Sequence, residues 1–311
     1  MSILIVGTLA LDTIETPTDK AEQVLGGSAT YSAFAAHSFA TPIAIVAVVG
    51  RDFPEQYHQI LKSIKLDLSG VEISKEHDTF AWGCQYRDNL NIRDTTFTHL
   101  NALQHFSPVV PEAFNNCQVI CLGNLHPQIQ SDTLSQVGDA SFVACDTMNY
   151  WIQETPAELI QVLKTVDCLV INDEEALQMT DEFNLFSAAR KILYLGPKSL
   201  IIKKGEHGAM LFVEDQVFII PSFPISKVKD PTGAGDAFLG AMAGSLNYER
   251  HIGLDALKRA VVYGSTVASF CVEHIGPYEL LNLTQSDITK RAKQFNGVTE
   301  WPVLSVLSPL A

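Results

Sequence analysis

The sequence predicts an α/β fold, with a mostly parallel sheet carrying helices on both faces. Three observations predict it. From residue 118 onward, short apolar runs alternate with helical segments, the repetition that builds parallel sheets with right-handed crossovers. Those runs are apolar throughout, as in strands covered on both sides. Between residues 71 and 99, strand-like stretches succeed one another without a helix, so a smaller sheet is interleaved with the main one.

In chain order, residues 3–6 are a buried strand ending at Gly7, and residues 8–17 alternate as an exposed strand would. Leu25-Gly26-Gly27-Ser28 leads into a small-residue helix over 29–40, capped by Ser28 or Gly27. Residues 43–49 form a second buried strand and 52–65 an amphipathic helix. The stretches 71–73, 79–86 and 94–99 join residues 11–16 in a small sheet. This sheet is expected to act as a lid, drawn from segments about 9–25 and 71–100 of a single domain spanning 1–311. Strands follow at 119–122, 142–145, 168–171 and 200–202, separated by helices at 128–137, 156–163, 174–179 and 187–193. A turn at 205–208 makes an edge hairpin with 209–213, and 217–220 adds a strand. Residues 235–246, 253–272 and 286–295 read as helices.

Composition narrows the function classes. The 311 residues are 47% hydrophobic, enough for a substantial core. The formal net charge of −14 argues against nucleic-acid and anionic-membrane partners, which need basic patches. A polyphosphate would have to be held by amides, a few lysines and a metal ion. The six cysteines contain no Cys-x-x-Cys pair and read as buried free thiols. His37, His207 and His274 lack metal-ligand spacing. No basic leader precedes the first strand, and no uncharged apolar stretch reaches about 18 residues. A soluble cytoplasmic protein is expected.

The most informative stretch is Asp230-Pro-Thr-Gly-Ala-Gly-Asp236, which opens onto a small, apolar helix. Gly233 and Gly235 free the backbone, and unpaired amides at the helix start favour an anion. A carboxylate inside such a cradle repels a phosphate, so Asp236 reads as a general base. Two other readings stand beside this one. One is a buried turn with an aspartate cap. The other is a dinucleotide fingerprint, although its third glycine is displaced to Gly240.

This stretch resembles the C-terminal signature of the ribokinase-like, or PfkB, family of carbohydrate and nucleoside kinases. Asp12, Gly26-Gly27, Asn172-x-x-Glu175 and Gly205 match further family positions in order. The resemblance implies a three-layer αβα sandwich, with a central mostly parallel sheet and a small β-sheet lid. It implies Asp236 as catalytic base and the Gly233, Ala234 and Gly235 amides as anion hole. ATP would be bound by Asn172, Glu175, Lys203, Gly205, Thr232, Gly233 and Gly235, with adenine near the helix holding Gly264 and Ala268. Asn172 and Glu175, also a capping box by spacing, would hold Mg2+ through water. Asp230 and Thr232 would help bind a monovalent cation such as K+. Asp12, Gly26, Gly27, Tyr31 and Asp236 would contact a small sugar, polyol or nucleoside.

Two residues depart from the family pattern: Lys203 stands for a threonine, and Tyr31 for an asparagine, which puts ribose recognition in doubt. Asp146 and Asn149 look like the family's Asp-Pro-Asn region with an extra residue. Trp82, Tyr86 and Phe97 are candidates for stacking, and Arg87 and Arg93 read as solvated hairpin tips. Relatives often dimerise through the lid, so a homodimer is a further expectation. The activity expected is ATP-dependent phosphorylation of a hydroxyl; the alternatives are a non-catalytic nucleotide- or sugar-binding protein of the same fold, and a dinucleotide oxidoreductase.

Overall fold

Each strand of the main sheet sends alternate side chains to opposite faces, and both faces are covered. In the computed structural model, which describes residues 2–39 and 42–299, Ile3 and Ile5 enter one core while Leu4 and Val6 enter the other. Both cores are apolar, so the unbroken hydrophobic runs have a physical cause.

The strands are β1 (Ile3–Val6), β2 (Ala10–Glu15), β3 (Lys20–Gly26), β4 (Ile43–Val49), β5 (Asp67–Ile73), β6 (Ala81–Tyr86), β7 (Arg93–His99), β8 (Val119–Leu122), β9 (Phe142–Cys145), β10 (Cys168–Asn172), β11 (Ser199–Lys203), β12 (Ala209–Val213) and β13 (Gln216–Ile220). The main sheet has nine strands in the order β13-β12-β11-β10-β9-β8-β1-β4-β5. It is parallel except at β11-β12-β13, where the expected hairpin forms. The small sheet has the order β3-β2-β6-β7.

The helices are α1 (Ser28–His37), α2 (Glu55–Ser63), α3 (Pro127–Leu134), α4 (Asn149–Glu154), α5 (Pro156–Leu163), α6 (Asp173–Thr180), α7 (Leu185–Leu195), α8 (Ala234–Leu246), α9 (Leu254–Cys271), α10 (Tyr278–Asn282) and α11 (Gln285–Thr299). Helices α1, α2 and α8–α11 pack on one face and α4–α7 on the other. Helix α8 packs closely against both α9 and α1. A Cβ on Gly240 would lie 2.0 Å from the Ser32 carbonyl oxygen, so only glycine lets the two backbones approach.

Several boundaries differ from the sequence reading. Residues 71–73 belong to β5, which pairs in parallel with β4 on the main sheet rather than joining the small one. Gly70 makes this possible, because a Cβ there would meet the Ile45 carbonyl oxygen at 2.8 Å. The small sheet's remaining strand is β3, whose Lys20, Glu22 and Gln23 are too polar to betray it. Helix α2 begins after Pro54, and the expected helix end at Ala40 lies outside the described residues.

All six cysteines are free and buried. Burial pushes the Cys117 thiol up to about 11 and those of Cys84 and Cys168 up to about 12. Among the described residues no helix is long and apolar enough to cross a membrane. Nor does any group of three or more His, Cys, Asp or Glu side chains converge in a way that could hold a metal ion.

Candidate active site

Parallel strands end at one edge of a sheet, and there the polar residues collect. β1 leads to Thr8, β9 to Asp146, β10 to Asn172 and β11 to Lys203. The loop Asp230–Gly233 then brings the start of α8 to the same edge. Gly233 is the N-cap of α8 with φ 74°, a left-handed conformation that a side chain would strain. The Gly233, Gly235 and Asp236 amides have no acceptor among the described residues, whereas the Ala234 N–H donates to the Pro231 carbonyl at 3.2 Å. The free donors at the start of α8 are therefore Gly233, Gly235 and Asp236, with Asp236 in place of the expected Ala234.

The loop is fixed from below. Asp230, buried, accepts the Thr232 amide at 2.8 Å through Oδ1 and the Gly276 amide at 3.3 Å through Oδ2. The Thr232 hydroxyl is 2.9 Å from the Tyr86 hydroxyl. Asp230 thus holds the loop in shape, and the Thr232 hydroxyl joins it to the small sheet.

Carboxylates surround the cradle. Burial first, and then the Asp146 charge, push the Asp236 carboxyl up to about 7 against the opposing charges of Lys203 and Arg93. Lys203 Nζ lies 3.3 Å from Asp146 Oδ2, and 2.9 Å from where a Cβ on Gly235 would sit. It is therefore beside the helix start. Burial alone would lower its pKa, but Asp146, Glu175 and Asp236 outweigh burial and hold it above the ordinary lysine value. Glu175 is pushed up to about 7, by burial first and then by Asp146. Asn172 and Glu175 form the capping box of α6: the Glu175 amide donates to Asn172 Oδ1 and the Asn172 amide to Glu175 Oε2, each at 2.8 Å.

On the other side of Asp236 lies Asp12. A Cβ on Gly26 would fall 1.9 Å from Asp12 Oδ2, so the carboxylate rests directly on glycine backbone. Gly27 caps α1 at φ 91°, and its amide near this carboxylate favours the charged form. Burial pushes Asp12 up to about 7, against that amide and with the charges of Asp236 and Asp230 adding to it. Tyr31 is buried with its ring under Gly233, where a Cβ would come within 2.3 Å of the ring. Asp12 Oδ1 and the Tyr31 hydroxyl are both buried without a partner among the described residues. Buried polar atoms are rarely left so.

The strand-end edge of the main sheet and the neighbouring start of α1 thus bring together Asp12, Gly26, Gly27, Tyr31, Asp146, Asn172, Glu175, Lys203 and the 230–236 loop. Three expected positions fall outside the gathering. Gly205 is exposed on the turn after β11, with φ 52°. Asn149 is exposed at the start of α4. Gly264 is buried against the Phe238 ring, so its missing Cβ serves helix packing. Phe97 covers Gly83 and stacks on His99. Sequence reasoning missed the Lys203–Asp146 pair, the Tyr86–Thr232 contact, and the hydrogen bond from Asn91 Nδ2 to Glu206 Oε1 at 3.0 Å. Each joins residues far apart in the chain, and no local signal marks them.

Comparison with known proteins agrees with this geometry. The chain is 25% identical over 246 residues to the cytidine kinase of Thermococcus kodakarensis, covering 77% of this chain and 86% of that one. The Methanocaldococcus jannaschii nucleoside kinase is 26% identical over 261 residues, 82% of each chain. The crystal structure of that organism's nucleoside kinase superposes with a TM-score of 0.78, covering 94% of this chain and 98% of that one at 22% identity. An E. coli structure in complex with ATP and Mg2+ also superposes at 0.78, at 20% identity, over 94% of this chain and 99% of that one. The profile of the pfkB family carbohydrate kinases matches residues 3–283. By that match the chain belongs to the pfkB family of carbohydrate kinases.

Proposed function

We propose that this chain transfers the γ-phosphoryl group of ATP to a hydroxyl of a small sugar, polyol or nucleoside. One observation carries the reading: Asp236, pushed up to about 7, stands in the first turn of α8 beside amides without acceptors, within the charge influence of Lys203 and acting in turn on Asp12. A carboxylate so poised accepts a proton near neutral pH.

Asp12 and Gly27 receive the acceptor, and Asp12 Oδ1 takes one of its hydroxyl protons in a hydrogen bond. Tyr31 supports the cradle from beneath and lends its free hydroxyl to the same pocket. Asp236 removes the proton from the attacking hydroxyl as its oxygen bonds to phosphorus. The Gly233, Gly235 and Asp236 amides, with Lys203, stabilise the charge on the transferring group. Water is excluded by the small sheet, which acts as the lid through Tyr86 and Asn91.

The residues present fit a nucleotide with its metal. Asp146 and Glu175 stand at adjacent strand ends with charges that oppose each other, an arrangement a dication relieves. Asn172 and Glu175 would hold Mg2+ through its water shell, with Asp146 beside them. When bound with ATP, the metal neutralises phosphate charge.

The acceptor class is suggested by the relatives, and cytidine and other nucleosides lead the test. Purified protein is offered ATP, Mg2+ and K+ with nucleosides, pentoses, hexoses and inositols, and ADP release is read. Acceptor-dependent ADP release from at least one class is expected; ATP left unconsumed with every class removes the assignment.

A further inference from the structure

The site holds more negative charge than a phosphate can meet unaided. Asp146, Glu175 and Asp236 act on one ammonium, Lys203, and Asp12 and Asp230 add two further carboxylates to the site. The small sheet brings a second cation. Residues directly opposite across an antiparallel pair share a face, and so do residues two apart on one strand. Arg93 lies opposite Tyr86, and Trp82, Cys84 and Tyr86 follow at intervals of two. That face looks onto the cradle, because the Tyr86 hydroxyl is 2.9 Å from the Thr232 hydroxyl.

The two arginines of this hairpin part company. Arg87 is bound to Asp94 by two bonds of 2.8 Å, and Asp94 lies opposite Gln85 on the outer face. Arg93 forms no salt bridge among the described residues. Its guanidinium lies 5.1 Å from the centroid of the Trp82 ring, and it remains exposed. Its charge nevertheless bears on Glu175 in α6 and on Asp230 and Asp236 at the two ends of the 230–236 loop.

We propose that Arg93 is a catalytic cation carried by the small sheet: it leaves the Trp82 ring to clamp the phosphoryl group in transit, across the cleft from Lys203. The proposal rests on the kinase reading above. An aromatic face holds a guanidinium without consuming its hydrogen bonds. The planar fork is then free to donate two bonds to phosphate oxygens, which a lysine cannot copy. Because Tyr86 ties the same hairpin to Thr232, closure of the small sheet sets the distance from Arg93 to the cradle. Chemistry is thereby reserved for the closed state.

The test compares wild type, Arg93→Ala and Arg93→Lys, each titrated with Mg·ADP, without and with aluminium fluoride. Cytidine, ribose and myo-inositol are present throughout. Loss of one donor to a transferring group weakens the transition-state mimic by about 100-fold. Arg93→Ala is expected to bind Mg·ADP within about threefold of wild type while losing about 100-fold in the gain from aluminium fluoride; Arg93→Lys recovers only part. In wild type the gain is expected to come with a change in Trp82 emission, absent in Trp82→Phe. An Arg93→Ala protein that keeps the whole gain overturns the proposal. Wild type that binds Mg·ADP but gains nothing from aluminium fluoride also overturns it and leaves the kinase reading standing. Wild type that binds no Mg·ADP overturns both.

Discussion

The two sheets solve the problem of burial in opposite ways. The main sheet is covered on both faces, and its strands feed two extensive cores. The small sheet buries little of its own: Ile14, Cys84 and Tyr86 form its cluster, with Val24, Trp82 and Leu90 packed at the margin. It is tied to the body by apolar burial at its β2–β3 side, where Leu11 and Leu25 enter the main core, and by polar contacts at its β6–β7 hairpin, Tyr86 to Thr232 and Asn91 to Glu206. A sheet held by apolar area resists movement, whereas a hairpin held by a few hydrogen bonds can open at modest cost. On the function proposed above, the body holds Asp236, Lys203 and Asp146 in place, and the β6–β7 hairpin is the part of the small sheet that moves over them.

The sharpest break in this contrast is at the base itself. Asp236→Asn is expected to lower turnover by about 100- to 10,000-fold while nucleotide affinity stays within a few-fold, measured by ADP release and by titration with Mg·ADP. Near-wild-type turnover would remove Asp236 from its role. Next comes the difference in burial. Ile201→Ala in the body should cost about 2–5 kcal/mol in denaturant unfolding. Ile14→Ala should instead speed hydrogen exchange in the small sheet while the amides of β1, β8 and β10 keep their protection. Equal loss of protection in both sheets would mean that they unfold as one.

The raised carboxyls give a third comparison. Asp236 is pushed above its unfolded value, so the folded protein holds that proton more tightly. The stability this contributes is fully present below about pH 4 and is lost as pH rises through about 7. Asp236→Asn should therefore be more stable than wild type by about 1–2 kcal/mol at pH 8, with the gap closing at pH 4. Turnover runs the other way, rising as pH passes through about 7 because the base must be ionised. The smallest effect is at the tether. Tyr86→Phe should change the unfolding midpoint little but raise the acceptor KM by a few-fold, consistent with one hydrogen bond of about 1 kcal/mol.

The body was largely legible before any coordinates. Unbroken apolar runs of four to seven residues, such as Val119–Leu122 and Ile43–Val49, announce strands buried on both sides. The loop from Asp230 to Asp236 was equally plain, because its chemistry is local and its residues are contiguous. The small sheet was read less well. Strand β3 is edge and polar, and the stretch 71–73 sits beside strands it does not pair with, so proximity in the chain misled. The charge network was the least visible part. Lys203 and Asp146 are 57 positions apart, and Tyr86 and Thr232 are 146 apart. Arg93 is the exposed hairpin residue that its sequence suggests, and only folding shows its guanidinium 5.1 Å from the centroid of the Trp82 ring.

The burial of all six thiols has a practical consequence. With Cys117 up to about 11 and Cys84 and Cys168 up to about 12, the native thiols offer almost no thiolate at neutral pH to an alkylating dye. A single cysteine placed on the outer face of the hairpin, at the exposed Gln85, would take a fluorophore without removing any native sulfur. Opening and closing could then be watched one molecule at a time in otherwise unaltered protein.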